Sequence, residues 1–107
     1  MLTIKKDKIT HMRGDTGCIT VNLYADGEPY TMRDGDRLIF SIKRSIGDTE
    51  YVLQKESKTN QIFFVHKDTN NLAPGTYVYD IQLVTSIGMV QTMGPGKYIL
   101  QADITRE

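Results

Sequence analysis

Leu72-Ala73-Pro74-Gly75-Thr76-Tyr77-Val78-Tyr79-Asp80-Ile81-Gln82-Leu83-Val84-Thr85 decides the fold class. The stretch opens on turn formers, Pro74 and Gly75, and then alternates strictly. Tyr77, Tyr79, Ile81 and Leu83 fall on one face, with Asp80 and Gln82 on the other. Successive side chains of a strand point to opposite faces, so period two over this length predicts a half-buried β-strand.

Outward from that strand, similar short alternations recur between Gly, Asp, Asn and Pro. Residues 8–12 form a first segment, broken by Arg13-Gly14-Asp15-Thr16-Gly17. Residues 18–24 place Ile19, Val21 and Leu23 on the expected core face. The polar connection over residues 25–36 holds two turn signals, Asp26-Gly27 and Asp34-Gly35, because Gly tolerates positive φ and Asp bonds its local backbone. Residues 37–44 align Leu38, Phe40 and Ile42 inward, and residues 51–55 follow the Ile46-Gly47-Asp48 turn. Residues 61–67 are apolar on both faces through Ile62, Phe63, Phe64 and Val65, as in a strand covered on both sides. After Ser86-Ile87-Gly88 the last strand starts near Met89. Gly94-Pro95-Gly96 interrupts it, and it resumes with Tyr98, Leu100, Ala102 and Ile104 inward. Pro cannot donate to a ladder, so Pro95 predicts a bulge or an edge position. No apolar recurrence at helical spacing is present. About seven strands with regular turn signals predict one all-β domain over residues 1–107, an immunoglobulin-like antiparallel β-sandwich. Tyr77 or Tyr79 is placed to form a corner with upstream backbone, as a Tyr near the start of the sixth strand does in such domains.

Composition narrows the function classes. The 107 residues carry 13 basic and 13 acidic side chains, so no net field draws the chain to nucleic acid or to a membrane surface. Cys18 is the sole cysteine, which excludes an intrachain disulfide. The start, Met1-Leu2-Thr3-Ile4-Lys5-Lys6-Asp7, lacks the apolar core of a signal peptide, and no run approaches transmembrane length. Synthesis in the cytoplasm is the expectation, with secretion by a route without a cleaved signal as the alternative.

Three blocks carry a family resemblance. They are Ile4-Lys5-Lys6 leading to Arg13-Gly14-Asp15-Thr16; Gly27-Glu28-Pro29-Tyr30 followed by Leu38-Ile39-Phe40-Ser41-Ile42-Lys43; and Leu72-Ala73-Pro74-Gly75-Thr76-Tyr77 with the alternating strand after it. Across nearly its whole length the chain resembles the immunoglobulin-like domain at the N-terminus of phage baseplate upper proteins and related prophage structural proteins. The resemblance implies a virion location and a non-enzymatic structural role in tail or baseplate assembly, with other virion proteins or a second copy as partners. Many relatives continue into receptor-binding or stalk regions. This sequence stops at Glu107, so partners in trans are expected.

Candidate sites are few. Arg13-Gly14-Asp15 spells a cell-adhesion tripeptide, but Gly-Asp is ordinary turn chemistry. Asp26, Glu28, Asp34 and Asp36 gather carboxylates without calcium-loop spacing, and Arg33 and Arg37 lie among them. Cys18, His11 and His66 match no zinc pattern. No catalytic residue, metal ligand, cofactor or small-molecule ligand is expected from these residues. Tyr24, Tyr30 and Tyr51 are expected at the surface, and Tyr77, Tyr79 and Tyr98 in the core or an interface. With no Trp, a sugar-stacking platform would have to be built from tyrosine rings. Phe63, Val65, Val78 and Val84 lie on nominally outward faces as an apolar stripe, and are the interface candidates. The alternative function is a ligand- or carbohydrate-binding immunoglobulin-like module of a bacterial surface protein.

Overall fold

The computed structural model describes residues 2–5 and 7–105. Its strands are β1 (Leu2–Lys5), β2 (Lys8–Met12), β3 (Gly17–Thr20), β4 (Tyr24–Ala25), β5 (Glu28–Pro29), β6 (Arg37–Lys43), β7 (Leu53–Ser57), β8 (Gln61–Phe64), β9 (Gly75–Val84) and β10 (Val90–Gln101), with one helical turn, α1 (His66–Thr69), between β8 and β9. Six strands form a sheet in the order β1-β2-β10-β9-β6-β7, curled into a half-barrel. The pairs β3-β8 and β4-β5 form two small ribbons. All pairs are antiparallel except β2 with β10, which run parallel with Tyr98 opposite Ile9. The protein is therefore an all-β fold with a mixed sheet, where the sequence predicted an antiparallel one. Parallel pairing needs a long-range crossover and leaves no local turn signal to read.

The alternations set the core. Leu38, Phe40 and Ile42 of β6, the inward set of β9, Ile9 of β2, and Tyr98 and Leu100 of β10 all bury on one face of the large sheet. The β3-β8 ribbon lies across that face and supplies Ile19, Ile62 and Phe64. Phe64 meets Phe40 edge-on at 5.4 Å between ring centroids. Val21 and Leu23 remain buried past the end of β3 because backbone bonds hold them. The Val21 N–H donates to Asn60 O at 2.8 Å, and Leu23 O accepts from the Tyr30 N–H at 2.8 Å.

Two strand assignments differ. Residues 61–67 are not one strand: β8 ends at Phe64, Val65 caps the helical turn, and both Phe63 and Val65 are exposed. The Asp68 carboxylate accepts from the Val65 N–H at 2.8 Å and from Lys55 Nζ at 2.7 Å. This acid, three residues past the cap, satisfies an amide that would otherwise seek a strand partner. At the other end, Ala102 and Ile104 are exposed instead of inward. The Arg13 N–H takes Gln101 O and Arg13 Nε bonds Asp103 at 2.8 Å, so the chain leaves the sheet after Gln101.

Gly94-Pro95-Gly96 is a bulge, as predicted: the β10-β9 register shifts between Met93 and Gly96, and the Gly94-Pro95 peptide is cis. A Cβ on Gly96 would stand 2.4 Å from Asp7 O and 2.6 Å from the Tyr79 ring, so only glycine fits where β10 crosses. The tyrosine corner is formed by Tyr77, whose hydroxyl donates to Ala73 O. Tyr77→Phe deletes that bond without a cavity and is expected to cost about 1 kcal/mol, read as a lower urea midpoint at constant m.

Candidate functional site

One end of the fold carries a cleft of about 480 Å3, between the β4-β5 hairpin, the loop into β6 and the β9-β10 turn. The sequence dictates each wall. Asp26 and Gly27 have φ of 53° and 80°, and they join the paired residues Ala25 and Glu28. Two positive-φ residues in a two-residue loop make a type I′ turn, the connection whose twist suits a tight hairpin. This hairpin presents Tyr24. On the opposite wall, the Gly88 N–H bonds Thr85 O and the Thr85 N–H bonds Met89 O, each at 2.9 Å, which fixes Ile87 and Met89 at the tip.

Asp36 ties the walls together. It is buried (3% exposed), and its carboxylate accepts from the Tyr30 hydroxyl, the Arg33 N–H at 3.0 Å and the Ser86 N–H at 2.9 Å. The Tyr30 hydroxyl, followed by those two amides, holds the Asp36 carboxyl below its usual range; the same bond raises the Tyr30 hydroxyl. Asp36, one of the four loop carboxylates, is thus a structural pin. Asp26, Glu28 and Asp34 are exposed, and among the described residues no group of three or more His, Cys, Asp and Glu side chains gathers as a metal site.

The cleft's rim is apolar. Tyr24, Ile87, Met89 and Val90 are 58%, 82%, 65% and 60% exposed, all beside one concavity. Scattered exposed apolar residues are ordinary, whereas a contiguous group around a cleft marks an interaction surface. Sequence reading missed this cluster. Its one local signal is Ile87-Gly88-Met89-Val90, more apolar than a hairpin tip requires.

The four interface candidates do not meet. Phe63 and Val65 face outward on the β8 side, opposite the core-facing Ile62 and Phe64. Val78 and Val84 are half-buried on the outer face of β9, behind the large sheet and six residues apart along it. The layers stand back to back across the core, so the expected stripe is two separate surfaces. Val78 lines a second, smaller groove of about 190 Å3 with Ile46, Tyr51, Asp80 and Pro95. There Lys43 Nζ lies 4.9 Å from the Tyr51 ring centroid.

The remaining residues resolve into structure. The adhesion tripeptide is a turn with Gly14 at φ 82°, whose O is bonded by His66 Nδ1 at 2.8 Å, and whose Arg13 is engaged by Asp103. His11 is fully buried between Tyr98 and Asp15 O. Cys18 is exposed on β3, as its outward phase predicted. Tyr24 and Tyr51 are exposed and Tyr30 is half-buried, while Tyr77, Tyr79 and Tyr98 are in the core. Among the described residues, no helix is long and apolar enough to cross a membrane. Comparison of the chain with protein-family models, curated proteins and solved structures finds no match.

Proposed function

We propose that this chain is a non-enzymatic assembly module of a phage or prophage tail or baseplate, built on an immunoglobulin-like sandwich and acting through protein-protein contacts. Strand order supports the fold half of this reading. In such a sandwich the third, sixth and seventh strands share one sheet, extended beyond the third, while the second and fifth pair in the other. Here β6, β9 and β10 are neighbours, β7 extends the sheet beyond β6, and the β3-β8 pair lies opposite. The Tyr77 corner ahead of β9 agrees with it.

The observation that carries the functional half is the ring of exposed Tyr24, Ile87, Met89 and Val90 around the cleft. Apolar surface so concentrated is stabilised by a partner that removes it from water. Phe63 with Val65, and Val78 with Val84, provide two further contact surfaces on opposite layers. The partners are other virion proteins or a second copy. Peptide mass spectrometry of purified particles is expected to find the chain at a fixed ratio to the other tail proteins; particles complete in those proteins but lacking it would refute the assignment.

A ligand-binding surface module is the second reading, favoured by the size of the cleft and its mixed lining of apolar side chains with Tyr30 and Arg33. Saturable binding on a glycan array, lost on Tyr24→Ala, would select it over assembly.

A further inference from the structure

We propose that the open edge of β10 over residues 90–93, with the cleft beside it, docks an extended segment of a partner protein that adds to the sheet as a strand. β2 covers β10 only from Lys97 to Gln101, whereas β9 pairs with it from Val90 onward. Residues 90–93 therefore have a neighbour on one side alone among the described residues. Backbone direction follows from the turn. Met89 O points at β9, since it accepts from the Thr85 N–H. Groups alternate along an antiparallel strand, so Gln91 and Met93 also face β9, while the N–H and C=O of Val90 and Thr92 face outward. Those two residues present a short ladder with donors and acceptors in strand register, which an added strand completes.

This edge lacks the usual protection. Exposed edges are kept from pairing by charge, by Pro or by a covering element. Val90-Gln91-Thr92-Met93 holds no charge, and Pro95 comes only after it, in the bulge. By contrast β7, the far edge of the same sheet, carries Lys55 and Glu56.

The lining specifies the segment's side chains. Gln91 pairs with the core-facing Leu83, and both line the cleft, so residues of the added strand on that face point into it. There they meet Tyr24, Leu83 and Met89, which suit an apolar side chain. Arg33 is the cleft's only cation among the described residues. Its guanidinium lies 6.0 Å from the Tyr30 ring centroid and adds to the field that favours the charged Asp36 carboxylate, but it makes no direct ion pair with another described residue. The adjacent Asp36 carboxylate is already engaged by one hydroxyl and two amides. A single carboxylate on the incoming segment complements Arg33, while Asp26 on the same lining disfavours an acidic run.

The inference deepens the assembly reading and rests on it only in taking the partner to be a protein. The test is to pan a yeast-displayed random dodecapeptide library against the full chain and measure the selected peptides against variants. Expected are alternating apolar peptides with one Asp or Glu. Thr92→Pro, which deletes an outward amide that bonds no other described residue, is expected to weaken them by roughly fivefold, the worth of one hydrogen bond, with a melting temperature close to wild type, since the Gln82 to Thr92 side-chain bond it also removes is exposed. Arg33→Glu is expected to reverse the charge preference. In the wild type, peptide addition is expected to slow exchange of the Val90 and Thr92 amides, a readout independent of whether the Pro variant folds. No enrichment, equal binding to Thr92→Pro, or unchanged exchange overturns the proposal. Sedimentation showing a wild-type dimer that Thr92→Pro dissolves also overturns it, in favour of a second copy. Peptide binding with the chain absent from particles fails the assembly role alone; the converse fails the edge site alone.

Discussion

Phe40→Ala is expected to destabilise the fold by about 3–5 kcal/mol, the usual range for truncating a buried Phe. Phe40 has no exposed surface and sits in β6, opposite Ile81 of β9 and Lys55 of β7. Its ring meets Phe64 at 5.4 Å, stacks on Tyr79 at 5.5 Å and approaches Tyr98 at 6.3 Å, so it joins the large sheet to the ribbon across the core. Truncation loses the transfer free energy, leaves a cavity the rigid sheet cannot close, and removes aromatic contacts worth roughly 0.5–1.5 kcal/mol each. Against the ~5–15 kcal/mol total typical of a domain, this is a large fraction. Urea melts measure it, with a lower midpoint and an unchanged slope. Phe63→Ala, on the solvent side of β8, serves as the contrast and is expected to stay within about 0.5 kcal/mol of wild type. Equal losses for the two would mean that the ribbon does not seat on Phe40.

Stability is expected to fall as the pH drops from about 6.5 to 4, through His11. Burial pushes its pKa down from 6.5 to about 4. The geometry agrees. Nε2 lies 2.8 Å from Asp15 O, which only accepts, so Nε2 carries the proton and Nδ1 accepts from the Tyr98 hydroxyl. A second proton on the ring would displace that hydroxyl, itself harder to ionise because burial raises its pKa. The sign follows from proton counting. Between the two values the unfolded chain holds a proton that the folded one does not, so protonation favours unfolding. Above 6.5 neither state binds it and stability is complete; by pH 4 the loss approaches ~3 kcal/mol. Urea midpoints across this pH range measure the slope. His11→Gln is expected to lower stability at pH 7 and to flatten the profile; an unchanged slope in the variant would assign the pH dependence to other groups.

Much of the strand structure was legible because period two is a local property. Tyr77, Tyr79, Ile81 and Leu83 could face the core only together, and Pro95 could sit in the last strand only at an irregularity. The failures have local explanations as well. Val65 continues an apolar run, yet the carboxylate three residues later captures its amide and turns the chain. Ile104 continues an alternation, yet Arg13 holds Asp103 and ends the sheet. The docking cleft was invisible for a different reason. Tyr24 and Met89 are distant in sequence and meet only because the hairpins that carry them fold to the same end. Asp36 resembles any solvated loop acid until the Ser86 amide is brought to it.

By itself, then, the sequence determined the all-β class, the inward faces and the bulge, since these follow from side-chain alternation and from the limits of Gly and Pro. Only the tertiary structure decided the parallel β2-β10 pair, the separation of Phe63 and Val65 from Val78 and Val84, and the open edge beside an apolar cleft. Those depend on which strands become neighbours, and strand pairing runs through backbone groups that every residue but proline carries alike.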